Sequence, residues 1–246
     1  MHSKNQKLTK SLLEMAGDEQ FIPGICNFCN RWCERCSKGQ NCLSYAYDQV
    51  KKGIDPKENN RDQINKQFWN TIEEVLSADI TGLIKDSSDI SLKISNENLV
   101  LFAEEYGNAV NKWLIENDNL LKEKSSLILV TYNKKETILF SDAIEIVKWY
   151  SFFIHKRIIR SLKDLYERKT GDLKDPYNPY RDNIGSAKNT IVACGHSMAA
   201  FSFLYPELET EQATIQTFVA QLIQIKNQLL ELFPDVMEFK RPGFDK

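Results

Sequence analysis

Residues Ser186–Tyr205 read SAKNTIVACGHSMAAFSFLY, and their spacing decides the fold class. Ala187, Ile191, Cys194, Met198 and Phe201 fall three or four residues apart and make one apolar stripe. Val192, Ala199 and Phe203 cover a second side. A helix that is apolar on more than one side is central and buried. The stretch predicts a core helix from about Ser186 to Tyr205, stopped by Pro206, with other helices around it. His196, beside Cys194 and Gly195, then lies in or next to the core as a hydrogen-bonded histidine. The small residues there also leave room for a ligand. Gly185-Ser186-Ala187-Lys188 would open this helix, where free N–H groups and a lysine can hold phosphate or carboxylate. Ordinary capping accounts for the same residues, and the run is not a P-loop.

Outward from that helix the 3.6-residue period persists. Leu8, Leu12, Leu13 and Met15 suggest a short helix within residues 1–20, broken by Pro23-Gly24. A long helix is expected over about Arg61–Lys85, with Ile64, Phe68, Ile72, Val75 and Leu76 in register. Ser95 or Asn96 caps a second, carrying Leu99, Phe102, Tyr106, Val110, Trp113 and Leu114. Ser141 or Asp142 caps a third, to about Lys169, and a last helix covers roughly Glu209–Leu232. Between the second and third, Leu127–Tyr132 and Thr137–Phe140 flank Asn133-Lys134-Lys135-Glu136. That pattern reads as a small β-hairpin near 127–140, or as a loop with apolar anchors. The prolines of the loop 175–182 bar helix throughout it. The expectation is a mainly α protein, a bundle of about five long helices with a cysteine-rich metal-binding N-terminal lobe. Residues 1–55 form the lobe and 56–246 the bundle, within one structural unit.

Five of the six cysteines crowd together: Cys26, Cys29, Cys33, Cys36 and Cys42, spaced C-x2-C-x3-C-x2-C-x5-C. Cysteines can be small buried hydrophobes, but such clustering speaks for a shared metal centre. One straight helix would align four thiols yet place the end pair ~15 Å apart, whereas zinc needs every sulfur at ~2.3 Å. A metal reading therefore requires the segment to bend, and Pro23-Gly24, Asn27 and Asn30 permit it. Zinc and an iron–sulfur cluster stay equally open. Four ligands such as Cys26, Cys29, Cys36 and Cys42 would leave Cys33 spare. Cys29-x3-Cys33-x2-Cys36 also matches the spacing of radical S-adenosylmethionine enzymes. Those look like partial β/α barrels, and this chain lacks their alternation of strands and helices.

Composition narrows the partners. With 42% hydrophobic and 27% charged residues, the chain can bury a core without disulfides. A net charge of −2 argues against broad attraction to nucleic acid or anionic membrane. No stretch reaches the ~20 apolar residues of a membrane span. The polar start, Met1–Lys10, shows no secretory signal, so a reducing, cytoplasmic setting is expected. His155 and His196 lack the Glu-x-x-His pattern of di-iron bundles, since Phe152 and Ala193 stand where the glutamates would be. His155, Lys156, Arg157, Arg160, Lys163, Arg168 and Lys169 form the single basic stretch, which on a helix reads as a solvated face.

Trp32-Cys33-Glu34-Arg35-Cys36, Trp149-Tyr150 with Phe152-Phe153, Gly185–Lys188 and the ending Arg241-Pro242-Gly243-Phe244-Asp245 together resemble an uncharacterised group of bacterial cysteine-rich helical proteins. The resemblance spans most of the chain and implies no activity, ligand or catalytic residue. The function expected from the sequence is a metal-binding protein, zinc or iron–sulfur, with a structural or electron-transferring centre. One alternative is an enzyme with a pocket near His155 and His196. The other is an interaction module using the basic helix 155–169.

Overall fold

Pro179 opens the central helix seven residues before the expected start. Its missing N–H costs nothing in the first turn, where no intrahelical acceptor is available. The computed structural model describes residues 15–54, 61–77, 96–131, 134–163 and 179–245. Among these lie seven α-helices and no strand. They are α1 (Leu43–Lys51), α2 (Arg61–Ser77), α3 (Asn96–Glu116), α4 (Asp118–Thr131), α5 (Lys134–Leu162), α6 (Pro179–Leu204) and α7 (Gln212–Leu232). The mainly α expectation holds. The expected helix within residues 1–20 and the loop 175–182 fall largely outside the described residues, as do residues 78–95.

The expected hairpin is corrected to helix. Leu127–Thr131 finish α4, and Lys134–Phe140 form the first turns of α5. Short apolar runs do not distinguish a strand from a buried helical segment. Here Ser125 and Ser126 donate their hydroxyls to Leu121 and Lys122 carbonyls four residues back, the bond serine makes within a continuing helix.

The chain divides into two compact units, one running to Thr71 and including the residues from Lys240, the other from Ile72 to Phe239. In the second unit α6 lies at the centre, packed along α5 and α7. From Asn183 to Phe201 every residue of α6 is buried except Val192 and Gly195. The two-sided apolar pattern therefore predicted its position correctly. α3 packs against α5, closely enough that a Cβ on Gly107 would stand 2.5 Å from the Ser151 carbonyl oxygen. Only glycine permits that approach. Tyr106, Trp113, Phe201 and Phe218 meet edge-on or tilted at 5.6–6.3 Å, from α3, α6 and α7. The Trp113 indole N–H donates to Glu211 at 2.7 Å, satisfying the polar end of a buried ring.

Lys188 departs most from its expected role. It lies inside α6 rather than at a helix start, so Gly185–Lys188 offers no free N–H groups for an anion. Its buried ammonium donates to the carbonyls of Met237 and Phe239. The Arg181 guanidinium stacks over the Phe239 ring at 5.7 Å. Among the described residues no helix is long and apolar enough to cross a membrane.

Candidate functional site

The cysteine segment folds as three single turns of 3₁₀ helix, Ile25–Asn27, Cys33–Arg35 and Gly39–Asn41, before α1 begins. Trp32 is buried and meets the Trp69 ring edge-on at 6.1 Å. One face of α2 then fastens the second turn. The Trp69 indole N–H donates to the Arg35 carbonyl at 2.6 Å. The Asn65 amide donates to the carbonyls of Glu34 and Cys36 at 3.1 and 2.9 Å. Arg61 reaches the same Glu34 carbonyl at 3.0 Å. Positions 61, 65 and 69 are successive i, i+4 neighbours, so one helical stripe satisfies three consecutive carbonyls. Asp62 accepts the Gln40 N–H at 2.9 Å, and the Arg35 guanidinium lies 4.5 Å over the Phe68 ring. These clamp residues escaped the sequence reading because α2 was scored only for its apolar register. The 61-65-69 spacing was the available signal.

The C-terminal residues complete this unit. Gly243 has φ +79°, and a Cβ there would stand 2.7 Å from Ile25 and 2.9 Å from Ile22. Arg241 and Asp245 close that turn through a half-buried ion pair at 2.7 Å.

All six cysteines are free thiols. The five clustered ones line a single cavity of about 100 Å³, with Trp32, Arg31 and Lys38 also on its wall. The sulfurs of Cys29, Cys36 and Cys42 are held by their own stretches of backbone, and that of Cys26 faces the Asn27 side-chain oxygen at 3.9 Å. The Arg31 N–H donates to Cys29 Sγ and the Lys38 N–H to Cys36 Sγ, both at 3.4 Å. Cys29 Sγ–H in turn donates to the Cys26 carbonyl at 3.3 Å. The N–H groups of Tyr45 and Ser44 face Cys42. Arg31 takes φ 59°, a left-handed conformation uncommon outside glycine.

The expectation of a zinc or iron–sulfur centre on Cys26, Cys29, Cys33, Cys36 and Cys42 is corrected by this geometry. Among the described residues no three His, Cys, Asp or Glu side chains come together as a metal ion requires. The physical reason lies in the turns. They wrap the sulfurs around a shared space without converging them on a point, and Cys33 faces solvent. Spacing alone reported proximity along the chain, which is not convergence in space.

Electrostatically Cys33, Cys36 and Cys42 are held protonated near neutral pH. Burial pushes Cys36 up to about 12, with the Lys38 N–H pulling back and the charges of Cys29, Asp62 and Cys33 adding to the rise. Burial also raises Cys33, reinforced by Cys29 and then Glu34. Cys42 is raised by burial against the opposing Tyr45 N–H. Cys29 influences all three, which makes it the electrical centre of the group.

The other candidates fare differently. His196 is buried with Nδ1 3.2 Å from the Tyr150 hydroxyl, the hydrogen-bonded core histidine. His155 is half-buried on α5, and neither histidine lines the thiol cavity or the groove between α3, α4 and α5. The basic stretch is not one solvated face. Arg157 is buried with its guanidinium 5.2 Å over Phe153, and Arg160 forms a two-bonded pair with Asp182 at 2.7 Å. Arg168 and Lys169 lie outside the described residues. No protein-family model, curated protein or solved structure matches the chain.

Proposed function

We propose that the cysteine unit is a thiol–disulfide element that records an oxidising exchange as an internal cross-link. The observation that carries this reading is the cavity walled by five free thiols, on a loop whose carbonyls are tied down by α2. A metal ion needs three or four sulfurs on one point, whereas a disulfide needs two.

Cys33, the exposed thiol, is the point of attack. Its thiolate attacks one sulfur of a low-molecular-weight disulfide and expels a small thiolate, leaving a mixed disulfide. The Cys29 sulfur, foremost of the charges acting on Cys33, then attacks the Cys33 sulfur. A Cys29–Cys33 bond forms and the second small thiolate departs. Two cysteine protons are released, and the small disulfide takes up two electrons. Because the thiolate is the nucleophile, the raised Cys33 makes this exchange slow at neutral pH.

Peptide mapping after treatment with oxidised glutathione tests the reading. The expected product is a Cys29–Cys33 linkage, two hydrogens lighter and reversed by dithiothreitol. Cys29→Ser should halt the reaction at a glutathione adduct on Cys33. Five thiols that remain free under conditions oxidising an exposed model thiol would end the proposal. So would a Cys29→Ser protein that behaves as the parent does.

A further inference from the structure

Two neighbouring helices of the second unit leave long exposed faces of opposite charge. On α5 and just past its end the outward positions run Glu145, Lys148, Phe152, Lys156, Ile159 and Lys163, at steps of three or four residues. Phe152 and Ile159 are 43% and 47% exposed, which is high for large apolar side chains on a helix. On α3 the outward positions include Leu101, Glu104, Glu105, Asn108 and Ile115, with Leu101 54% and Ile115 67% exposed. The first face is therefore net cationic and apolar despite Glu145, and the second, where Lys112 already pairs with Glu116, net anionic and apolar.

The two helices lie side by side and antiparallel. Gly107 abuts Ser151, while Leu114 and Ile115 share a groove of about 610 Å³ with Ile144 and Lys148. Counting along both helices from that contact sets Leu101 level with Arg157, between the outward Lys156 and Ile159, and Glu104 and Glu105 level with Ile154 and Phe153, between the outward Phe152 and Lys156. Among the described residues none of Glu104, Glu105 and Lys156 makes an ion pair within the chain. Arg160, by contrast, is already neutralised by Asp182.

We propose that this surface pairs with a second copy of the chain, α3 of each lying on α5 of the other about a two-fold axis along their seam. That operation keeps heights and exchanges the two helices, so Leu101 of one copy falls between Lys156 and Ile159 of the other. Glu104 and Glu105 then lie two and three residues from the level of Lys156, ~3–5 Å along the axis and within reach of a lysine side chain. The contact is self-complementary, as a two-fold interface must be. Two helices of this length, packed ~10 Å apart, offer a footprint on the scale of ~800 Å² per partner, the size of a stable specific interface. Three lysines beside exposed aromatic and aliphatic carbons are too few for a phosphate backbone, where ~6–10 contacts are common. They suit an acidic helical face.

Sedimentation velocity of the full chain in reducing buffer, at tens of micromolar, tests this. The expected species is twice the 28.5 kDa chain mass, shifting towards monomer as salt rises. Lys156→Glu alone, and Glu104→Lys with Glu105→Lys, should each raise the dimer dissociation constant tenfold or more. All three reversals in one chain should restore the dimer, which also shows that the substituted helices still fold. A monomeric parent overturns the proposal, as does a dimer indifferent to the single reversals or a triple variant that stays monomeric.

Discussion

At the scale of single residues, burial governs the chemistry more than sequence neighbours do. Cys194 is fully buried in α6, and burial pushes its thiol up to about 12, with Lys226 and then its own backbone N–H drawing it back. A group raised in the folded state contributes fully below its ordinary value of 9.0 and loses that contribution as pH climbs through the folded value. Cys36 in the other unit follows the same rule. Denaturant midpoints should therefore hold steady from neutral pH to about 9, then fall towards 12. The fall should be shallower in Cys194→Ala. Gly107 gives a second residue-level expectation. Alanine there must push α3 away from α5, since the obstacle 2.5 Å from its Cβ is backbone oxygen. Gly107→Ala should cost ~1–3 kcal/mol of unfolding free energy, despite alanine's better helix propensity. A variant as stable as the parent in urea titration would show that the approach is looser. Both residues were visible in the sequence only as small residues; their constraints come from partners remote in the chain.

At the scale of elements, α2 does for the thiol loop what a disulfide would do in an oxidising setting. Asn65 alone holds two carbonyls. Asn65→Ala should take the donor from the Cys36 carbonyl, while Glu34 keeps Arg61, and cost ~1–3 kcal/mol. It should also speed alkylation of Cys36, whose backbone it anchors. Unchanged labelling, followed by mass spectrometry, would mean the loop is held by Trp69 and Arg61 alone. Elements were unequally legible. α3, α6 and α7 carry long apolar periods and were placed to within a few residues, except that Pro179 moved the α6 start. α4 was missed because its Leu127–Thr131 run looked strand-like, and nothing local disclosed that helix would continue. The basic stretch on α5 was legible as charge but not as geometry. Its period buries Arg157 and directs Arg160 to Asp182, so composition overstated the free positive face.

At the scale of the whole molecule, the cysteines were read as a metal centre because five thiols so close in sequence usually share one. The fold arranges them as a wall around a space. Density of ligand-type residues was visible in the sequence; their convergence was not, because it depends on turns set by Trp32, Asn30 and the distant α2. The C-terminal residues belong with those turns, and Gly243 sits against Ile22 and Ile25. Gly243→Val faces both a crowded wall and a left-handed backbone, so it should loosen the cysteine unit. Faster alkylation of its five thiols, with Cys194 in the other unit still protected, is the expected pattern. Equal protection of all six would argue against that local coupling.

The same closure has a temporal side. A growing chain brings out its clustered thiols well before the segment that shuts against Ile22 and Ile25 is made. Throughout synthesis the nascent cysteines wait, half-sheltered, for a partner not yet translated. Slower translation between the thiols and Gly243 would prolong that wait, whereas slower translation ahead of Ile22 would leave it unchanged.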